Sequence, residues 1–575
     1  MATISADPSR PAELLASRPW LKHYEPGVPY TIDYPKIPLG KLLEQAAAQY
    51  PEQTATIFMG GKLSYPQLNE LANRFANALL GLGVKKGDRV AIHLPNCPQF
   101  VIAYFGAMKI GAIVHPVNPL YVEREIEQQL NDSGAETIVT LTRFYPLIRG
   151  VQGRTRLRTL IATNIKEYLP PVLKFLFGLT KEKKEGHAVP IERIPGHYTW
   201  SELISRHRGT SPEVEVNPDD IAVLLYTGGT TGVPKAATLL HSNLVSNAHQ
   251  VVSWVPESGK GKERTLVVIP LFHSYGMTTG MNQSIAAGLS MILVPRFTVE
   301  DVLKAIDKNK PSYFPGVPTM YIALNNSPET KKYNVRSIKA CLSGAATLPV
   351  EVAETFEALT GGRLVEGYGL SETSPVTHAN PIFGQRKFGS IGVPIPDTEA
   401  KIMDVETGET EMPVGEVGEL AIRGPQVMKG YWNKPEETAL VLRNGWLYTG
   451  DLAKRDEDGY FYIVDRKKDM IIAGGYNIYP RDVEEVLYQH PKVKEAVVAG
   501  VPDKYRGETV KAYIVLKDGE TATEQEMLDY CAANLAKYKA PKIVEFRPEL
   551  PKTMVGKFLR RALVEEEKRK LEAQQ

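Results

Sequence analysis

Apolar residues recur along this chain with two alternating periods, beginning after a proline-rich stretch over residues 1–38. The longer period predicts a helix that ends at Gly83 and another over 98–110. Short apolar runs predict strands over 89–94, 112–115 and 137–141. Because strands and helices alternate in this way, we expect a mostly parallel, doubly wound sheet.

The alternation resumes beyond residue 237 and predicts a second doubly wound unit. Its expected strands lie over 266–272, 291–295, 312–316 and 338–343, and its expected helices over 299–308 and 350–359. Residues 388–430 change to short strands with frequent glycine and proline, which predicts a small barrel or an antiparallel sheet.

The C-terminal region has the pattern of a separate small α+β domain. It combines a hairpin near 474–475, a helix with Val483, Leu487 and His490 on one face, strands over 496–499 and 513–516, and a capping box from Thr523 to Glu526. We therefore predict an arm over 1–38, a large domain over 39–467 and a mobile small domain over 468–575.

One segment, residues 166–187, loses this rhythm. Residues 169–179 are apolar, and Lys181, Lys183 and Lys184 follow them. A surface insertion packed on its own domain is one interpretation. The other is an interfacial segment over 169–184 that touches a membrane or a lipid substrate, because apolar residues beside lysines are typical of such segments.

Composition excludes several classes of protein. The chain has 575 residues, 43% hydrophobic and 23% charged, as expected for a globular protein with more than one core. A net charge of +2 gives no field that would indicate a nucleic-acid partner. The three cysteines form no CxxC pair, which indicates a reducing compartment. The N-terminus lacks a secretory pattern, and no apolar run reaches the roughly 18 residues that span a bilayer. We predict a cytoplasmic protein.

The densest candidate chemistry lies in residues 224–237, LLYTGGTTGVPKAA. A strand expected over 221–225 is followed by glycines, threonines and Lys235. The glycines can take positive φ and let backbone N–H groups face one point, while hydroxyls and the lysine add donors. These candidate donors are Thr227, Gly228, Gly229, Thr230, Thr231, Gly232 and Lys235. The pattern predicts a phosphate cradle, and a surface turn is the alternative.

The whole string resembles the signature loop of the adenylate-forming superfamily, which includes acyl-CoA synthetases, luciferases and peptide-synthetase adenylation domains. Gly229 and Ala236 depart mildly from it, since Ser or Thr and Gly are commoner there. Residues 367–373, GYGLSET, resemble a second marker of that superfamily. The resemblance covers roughly residues 40–565, with the major motifs in order.

The resemblance implies roles for the second marker and the strand ends near it. Tyr368 would stack on adenine, Ser371 would bind a phosphate oxygen, and Glu372 would bind Mg²⁺ together with Thr227. A carboxylate beside nucleotide phosphates suits this ion. Gly344, Ala345, Glu366 and Gly367 would line the nucleotide site. Without the resemblance, residues 367–373 would be interpreted as a polar turn. The stretch around Gly344 would be interpreted as a close helix–strand packing.

Four further resemblances complete the implied site. Asp451 would chelate the ribose hydroxyls with Arg466 as its partner, and His273 would line the acyl pocket, although a core histidine is the other interpretation. Lys557 would drive adenylation by bridging the carboxylate and the α-phosphate, which offsets the repulsion of two anions. Lys468 would be the hinge, and Gly475 would line the pantetheine path.

Together these residues imply ATP-dependent ligation of a carboxylic acid to coenzyme A through an acyl-adenylate, with ATP, Mg²⁺ and CoA as cofactors. Relatives that activate amino acids carry an aspartate near His273, which this chain lacks. The chain most resembles long-chain fatty-acid–CoA ligases. The alternatives are an aryl or medium-chain acid–CoA ligase, a ligase that loads a carrier protein, and a non-catalytic nucleotide or acyl-CoA binding protein. A homodimer and peripheral contact with the inner membrane surface are further predictions.

Overall fold

The computed structural model describes residues 17–227, 235–255, 262–467, 469–473, 476–503, 507–553 and 558–573. The chain divides into two compact units. The first comprises Met1–Glu399 with Arg423–Leu447, and the second Ala400–Ile422 with Tyr448–Gln575. The domain limits predicted from the sequence, and the hinge at Lys468, stay predictions.

The helices are numbered in chain order. They are α1 Gly40–Gln49, α2 Tyr65–Gly81, α3 Pro98–Lys109, α4 Glu123–Ser133, α5 Tyr145–Gln152, α6 Pro171–Thr180, α7 Trp200–Arg206, α8 His241–Trp254, α9 Gln283–Ala286, α10 Val299–Asn309, α11 Pro318–Asn326, α12 Val350–Thr360, α13 Pro435–Val441, α14 Pro480–Tyr488, α15 Glu524–Asn534 and α16 Arg560–Ala573. A π-helical stretch, Gly276–Asn282, leads into α9.

The strands of the first half are β1 Thr54–Phe58, β2 Gly61–Ser64, β3 Arg89–His93, β4 Ile113–Pro116, β5 Thr137–Leu141, β6 Thr159–Thr163, β7 His197–Thr199, β8 Ile221–Thr227, β9 Lys235–Leu240, β10 Arg264–Val267 and β11 Ser290–Leu293. Those of the second half are β12 Ala340–Ser343, β13 Arg363–Gly369, β14 Val376–Ala379, β15 Val393–Pro394, β16 Glu399–Met403, β17 Gly418–Arg423, β18 Gly430–Tyr431, β19 Leu442–Arg443, β20 Trp446–Arg455, β21 Phe461–Arg466, β22 Ile471–Ala473, β23 Tyr476–Ile478, β24 Val493–Asp503, β25 Gly507–Leu516 and β26 Ile543–Phe546.

The largest sheet of the first unit runs in the order β18-β9-β8-β4-β3-β5-β6-β7. Its strands from β8 to β7 are parallel, with β3 between β4 and β5. Helix α3 supplies much of the core, because every one of its residues is buried. The predicted doubly wound sheet is therefore confirmed for the first half of the chain. The antiparallel strands β9 and β18 close the edge that carries the Lys235 segment.

A second sheet region runs β10-β11-β1-β2, and a third runs β12-β13-β14-β15. Isolated bridges from Tyr313 to Thr265 and to Ala340 join them. The prediction of a full strand over 312–316 is therefore wrong, since the backbone there forms only single bridges. The strand expected over 266–272 is also too long, because β10 ends at Val267.

The second unit contains one sheet in the order β16-β17-β20, with β21 beside β20, and another in the order β23-β22-β25-β24, with β26 beside β25. Helix α14 buries Val483 and Leu487, as the pattern predicts. It ends at Tyr488, so His490 lies beyond it rather than on its face. The Thr523 hydroxyl accepts a hydrogen bond from the Glu526 N–H and caps α15, as expected.

The segment with the broken rhythm folds into helix α6, whose side chains are exposed except for that of Phe177. An ion pair and a hydrogen bond to Glu182 hold the chain just after the helix. Lys166 forms an ion pair with Glu182, and the Asn164 amide donates to the Glu182 carboxylate at 2.8 Å. Among the described helices, none has the length and hydropathy that crossing a bilayer requires.

Candidate functional site

The predicted phosphate loop joins two paired strands of the first unit. Thr227 ends β8 and Lys235 begins β9, and the two residues are direct partners in the antiparallel pair. The Thr227 hydroxyl donates to the Lys235 carbonyl at 3.4 Å. This pairing holds a hydroxyl and an ammonium group at the same end of the sheet, as a phosphate site requires.

Side chains from two other segments of the first unit surround Lys235. Its ammonium lies 5.4 Å from the centre of the Tyr431 ring and forms an ion pair with Glu437. Tyr431 is placed by β18, which pairs with β9 through Tyr431 and Ala237. The Tyr431 hydroxyl donates to Glu372 Oε1 at 2.9 Å. Burial, followed by the charge of Glu372, raises the pKa of Tyr431, so this phenol stays a donor.

Burial and neighbouring charges change the pKa of Lys235. Desolvation and the nearby Lys434 lower the pKa of Lys235, whereas Glu372 raises it. The Glu372 carbonyl accepts from the Met428 N–H at 2.8 Å, which fixes the short 3₁₀ helix Ser371–Thr373 that carries Glu372. The cluster therefore presents a carboxylate, an ammonium and two hydroxyls around one place.

The carboxyl ends of β12 and β13 form a second wall. The strands are parallel, with Ser343 opposite Glu366. A Cβ on Gly344 would approach the Tyr275 ring to 3.2 Å, and one on Gly367 would meet Leu342 Cδ1 at 2.7 Å, so a side chain at either position would have to displace its neighbour. The Glu366 carboxylate accepts from the Leu348 N–H at 2.9 Å.

Two further residues of this wall face solvent. Ala345 is exposed and takes a φ of +67°, an uncommon value for alanine. Tyr368 is half-buried, with its ring 6.0 Å from that of His378 at an angle of 70°. Burial lowers the pKa of His378 to about 3, so this neighbour is neutral at pH 7. The Tyr368 ring therefore lies beside a strand end without a charged imidazole next to it.

The segment around His273 joins this wall to the Glu372 segment. Ser274 and Ser371 bring their hydroxyls to 3.5 Å. His273 is half-buried, and its Nδ1 accepts from the Tyr275 N–H at 3.2 Å. The Tyr275 hydroxyl donates to the carbonyl of Leu342 at 2.5 Å and lies near that of Gly316. His273 and Ser371 thus lie on neighbouring segments of one wall.

A small apolar cavity of about 50 Å³ lies behind Leu342. Its lining comes from the end of α8, the π-helical stretch, the bridges near Tyr313, and β12 and β14. The lining residues are Val251, Trp254, Val255, Thr279, Gln283, Tyr313, Phe314, Pro315, Ala340, Cys341, Leu342, Val376, Ala379, Ile382 and Ile395. Ligand pockets typically measure about 300–1,000 Å³, so this space is too small for an acyl chain.

Trp254 lines this cavity and is held on two sides. Its indole N–H donates to the Asn380 carbonyl at 3.2 Å, and its ring meets Tyr24 edge-on at 5.1 Å. The side chain is 4% exposed. These contacts fix the ring in the cavity wall.

Asp451 and Arg466 lie in the second unit. They are direct partners across β20 and β21, and Arg466 Nε lies 3.2 Å from Asp451 Oδ1. Next to them, burial raises the pKa of Asp465 to about 6, against the opposing effect of Arg560. The predicted carboxylate–guanidinium pair is therefore formed.

The AMP-binding enzyme family matches residues 43–432, and its C-terminal domain matches residues 482–557. The chain belongs to this family. As an AMP-binding enzyme it is 50% identical over 555 residues to a long-chain-fatty-acid–CoA ligase of Bacillus subtilis, with 96% of this chain and 98% of the relative covered. An Escherichia coli enzyme of the same name is 40% identical, with 96% and 99% covered.

Solved structures of other ligases have the same fold. An anthranilate CoA ligase in complex with anthranoyl-AMP matches this AMP-binding enzyme with a TM-score of 0.81 at 28% identity, covering 93% of this chain and 98% of that one. An ATP-bound MatB from Rhodopseudomonas palustris gives 0.81 at 29% identity, covering 92% and 99%. The predicted fold class, with large α/β and small C-terminal regions, is confirmed.

Several predicted site residues of the AMP-binding enzyme lie outside the described residues, and their roles stay predictions. These are Gly228, Gly229, Thr230, Thr231, Gly232, Lys468, Gly475 and Lys557. Conversely, the sequence reasoning missed Tyr431, Glu437 and Trp254. Glu437 lies in a Pro-Glu-Glu-Thr run typical of a helix start, and Tyr431 precedes a tryptophan, so neither had a local signal of its own.

Proposed function

We propose that this protein ligates long-chain fatty acids to coenzyme A at the expense of ATP, through an acyl-adenylate, with release of AMP and pyrophosphate. The observation that carries the proposal is the charged cluster of the first unit, in which Tyr431 and Glu437 contact the Lys235 ammonium and Tyr431 donates to Glu372. Near-full-length relatives named long-chain-fatty-acid–CoA ligase support the same activity.

The charged cluster is the proposed phosphate end of the site. Thr227 and Lys235 would contact the phosphates of ATP, and Ser371 would contact a phosphate oxygen beside Ser274. Tyr368 would stack on adenine, beside the backbone of Gly344, Ala345, Glu366 and Gly367. Asp451 would hold the ribose with Arg466 as its partner, and Lys557 would neutralise the carboxylate and α-phosphate as they approach.

The residues of this end fit Mg²⁺. The ion prefers hard oxygen ligands and is commonly held by one or two carboxylates plus substrate phosphates. Glu372 offers a carboxylate and Thr227 a hydroxyl, and the described residues contain no group of three acidic, histidine or cysteine side chains placed to hold a metal ion by themselves. When bound, Mg²⁺ would offset the charge of the pyrophosphate leaving group.

The relatives favour a fatty acid over the other candidate acids. Two of near-full length are named long-chain-fatty-acid–CoA ligase, at 50% and 40% identity. His273, which would line the acyl pocket, lies on the segment that connects Ser371 with the end of β12. The cavity behind Leu342 has apolar walls but only about 50 Å³ of space, so an acyl chain would enter it only if this wall moves.

Product analysis with ATP, two acids and two acyl acceptors tests this function. Palmitate with free CoA should give a thioester and AMP in equal amounts, faster than coumarate does. Acyl transfer to a carrier protein but not to CoA would favour the carrier-loading alternative. ATP binding without AMP formation from either acid would overturn the proposal in favour of the binding-protein alternative.

We propose in addition that α6 contacts an anionic membrane surface. Val172, Phe175, Leu176 and Leu179 are exposed at the i, i+3, i+4, i+7 spacing that puts them on one side of the helix, with Phe175 67% exposed. A Cβ on Gly60 would lie 3.8 Å from Leu173, so the β1–β2 turn and its exposed Met59 extend this apolar surface.

The charges around α6 favour lipid over a second protein as the occupant. Lys174, Lys181, Lys183 and Lys184 are exposed, whereas the nearby Glu182 is already paired with Lys166. Lysines flanking an inserted apolar face can reach anionic headgroups. The inner membrane surface and the cytoplasmic location, like a homodimer, are proposals from the sequence.

Co-sedimentation with phosphatidylglycerol vesicles tests the membrane contact. Phe175→Ser/Leu179→Ser should weaken binding at least about tenfold, because two inserted side chains are lost. Phe383→Ser/Leu120→Ser, which alters two exposed apolar residues elsewhere, should leave binding unchanged. Equal binding by both variants, or a loss of dimer without a loss of vesicle binding, would contradict the membrane contact.

A further inference from the structure

The side chain of Lys235 has a carboxylate partner from outside the motifs described above. Glu437, on α13, forms an ion pair with the Lys235 ammonium. The Lys235 side chain is 16% exposed and that of Glu437 31%, so the pair is partly screened from water. Water and salt screen an ion pair in such surroundings less than they screen a fully exposed one.

Further charged and aromatic groups lie around this ion pair. Lys434 lies 3.9 Å from the other oxygen of Glu437, and Tyr431 supports the Lys235 ammonium through its ring. Glu372, on the other side of Tyr431, contributes a second negative charge. Two lysines therefore face two carboxylates, and a phosphate group brought to Lys235 would have to compete with Glu437.

We propose that Glu437 is an internal counter-anion that holds Lys235 until the β- and γ-phosphates of ATP displace it. The inference rests on the proposed function, in which Lys235 contacts those phosphates. Its consequence is selective: Glu437 would weaken the binding of ligands that carry a diphosphate or triphosphate. It would not affect AMP, which has no group beyond the α-phosphate. It would also favour the release of pyrophosphate after adenylation.

The geometry gives Glu437 a positioning role, because it acts on the ligand only through Lys235. Removing its charge while keeping its shape should leave the Lys235 ammonium unneutralised. That raises the positive potential at the phosphate end and should tighten the binding of polyanions. The effect should require Lys235, so it should disappear when Lys235 is neutralised as well.

The test is equilibrium binding of MgATP, inorganic pyrophosphate and AMP to the full-length protein. Glu437→Gln should bind MgATP and pyrophosphate about twofold to fivefold more tightly than the wild type, which is the range expected from one partly exposed ion pair, and AMP equally well. Glu436→Gln, one residue earlier on the same helix and exposed, should behave as the wild type does. In a Lys235→Met background, Glu437→Gln should have no effect.

Three results would overturn the inference: MgATP affinity of Glu437→Gln equal to that of Glu436→Gln, weaker MgATP binding in Glu437→Gln, or an equal gain for AMP. Weaker binding would indicate that Glu437 holds Lys235 in its productive position. Thermal unfolding of each variant shows whether a change reflects misfolding. Absence of MgATP binding by the wild type would instead contradict the proposed function, so the two failures are distinguishable.

Discussion

The first unit contains a charged cluster around Lys235 and a small apolar cavity lined by Trp254, and the sequence predicts the two to different extents. The cluster contains ammonium, carboxylate and hydroxyl groups from four segments, joined by direct contacts. The cavity is lined by side chains of several core elements. The comparison teaches that the chemistry of the proposed reaction lies in short motifs, whereas the apolar wall beside it is built by tertiary packing.

The largest expected effect concerns the charged end. Lys557→Ala should abolish adenylate formation and spare thioester formation from supplied acyl-adenylate, because neutralising two approaching anions matters only in the first half-reaction. Pyrophosphate release and thioester formation, measured separately, check this. Lys568→Ala, which changes an exposed lysine of α16, is the control. Equal loss of both half-reactions would contradict the role of Lys557.

A smaller loss is expected at Glu372. Glu372→Gln keeps an acceptor for the Tyr431 hydroxyl but removes the charge proposed to hold Mg²⁺. Adenylation should fall about 10²-fold to 10³-fold, and the Mg²⁺ concentration for half-maximal rate should rise. A Mg²⁺ titration of pyrophosphate release measures both. Glu354→Gln alters an exposed carboxylate and should change neither. An unchanged Mg²⁺ requirement would remove Glu372 from the metal site.

The smallest expected effect concerns the apolar end, and it changes preference more than rate. Trp254→Ala should lengthen the cavity and shift kcat/KM toward longer acids by about tenfold relative to shorter ones. Trp254→Phe keeps a ring and loses only the bond to the Asn380 carbonyl, so it should shift preference less. Because Trp→Ala in a core costs about 3–5 kcal/mol of stability, both variants need an unfolding measurement. Equal loss for all chain lengths would show that Trp254 does not set the length.

The difference between the two ends also explains how far the sequence could be interpreted. The β8–β9 position of Thr227 and Lys235 and the strand-end position of Glu366 and Gly367 follow from apolar runs that stop at glycine-rich or polar turns. Tyr431 and Glu437 reach the same cluster only because β18 pairs with β9. That pairing is non-local, so no periodicity of apolar residues predicts it.

Two apolar helices illustrate the same limit. Both α3 and α6 begin with proline in the first turn and are rich in apolar residues, and both were expected as apolar segments. Helix α3 is buried throughout, whereas α6 buries only Phe177. Hydropathy predicts that a helix will seek an apolar environment, and the packing of the rest of the unit decides whether the protein supplies it.

The most direct test of the account is AMP release by the purified full-length protein with ATP, Mg²⁺ and CoA across acids of graded length. The account predicts AMP from saturated fatty acids, with kcat/KM rising by severalfold per pair of added methylenes. A protein that makes no AMP from any acid, or that prefers aryl or short acids, would contradict it.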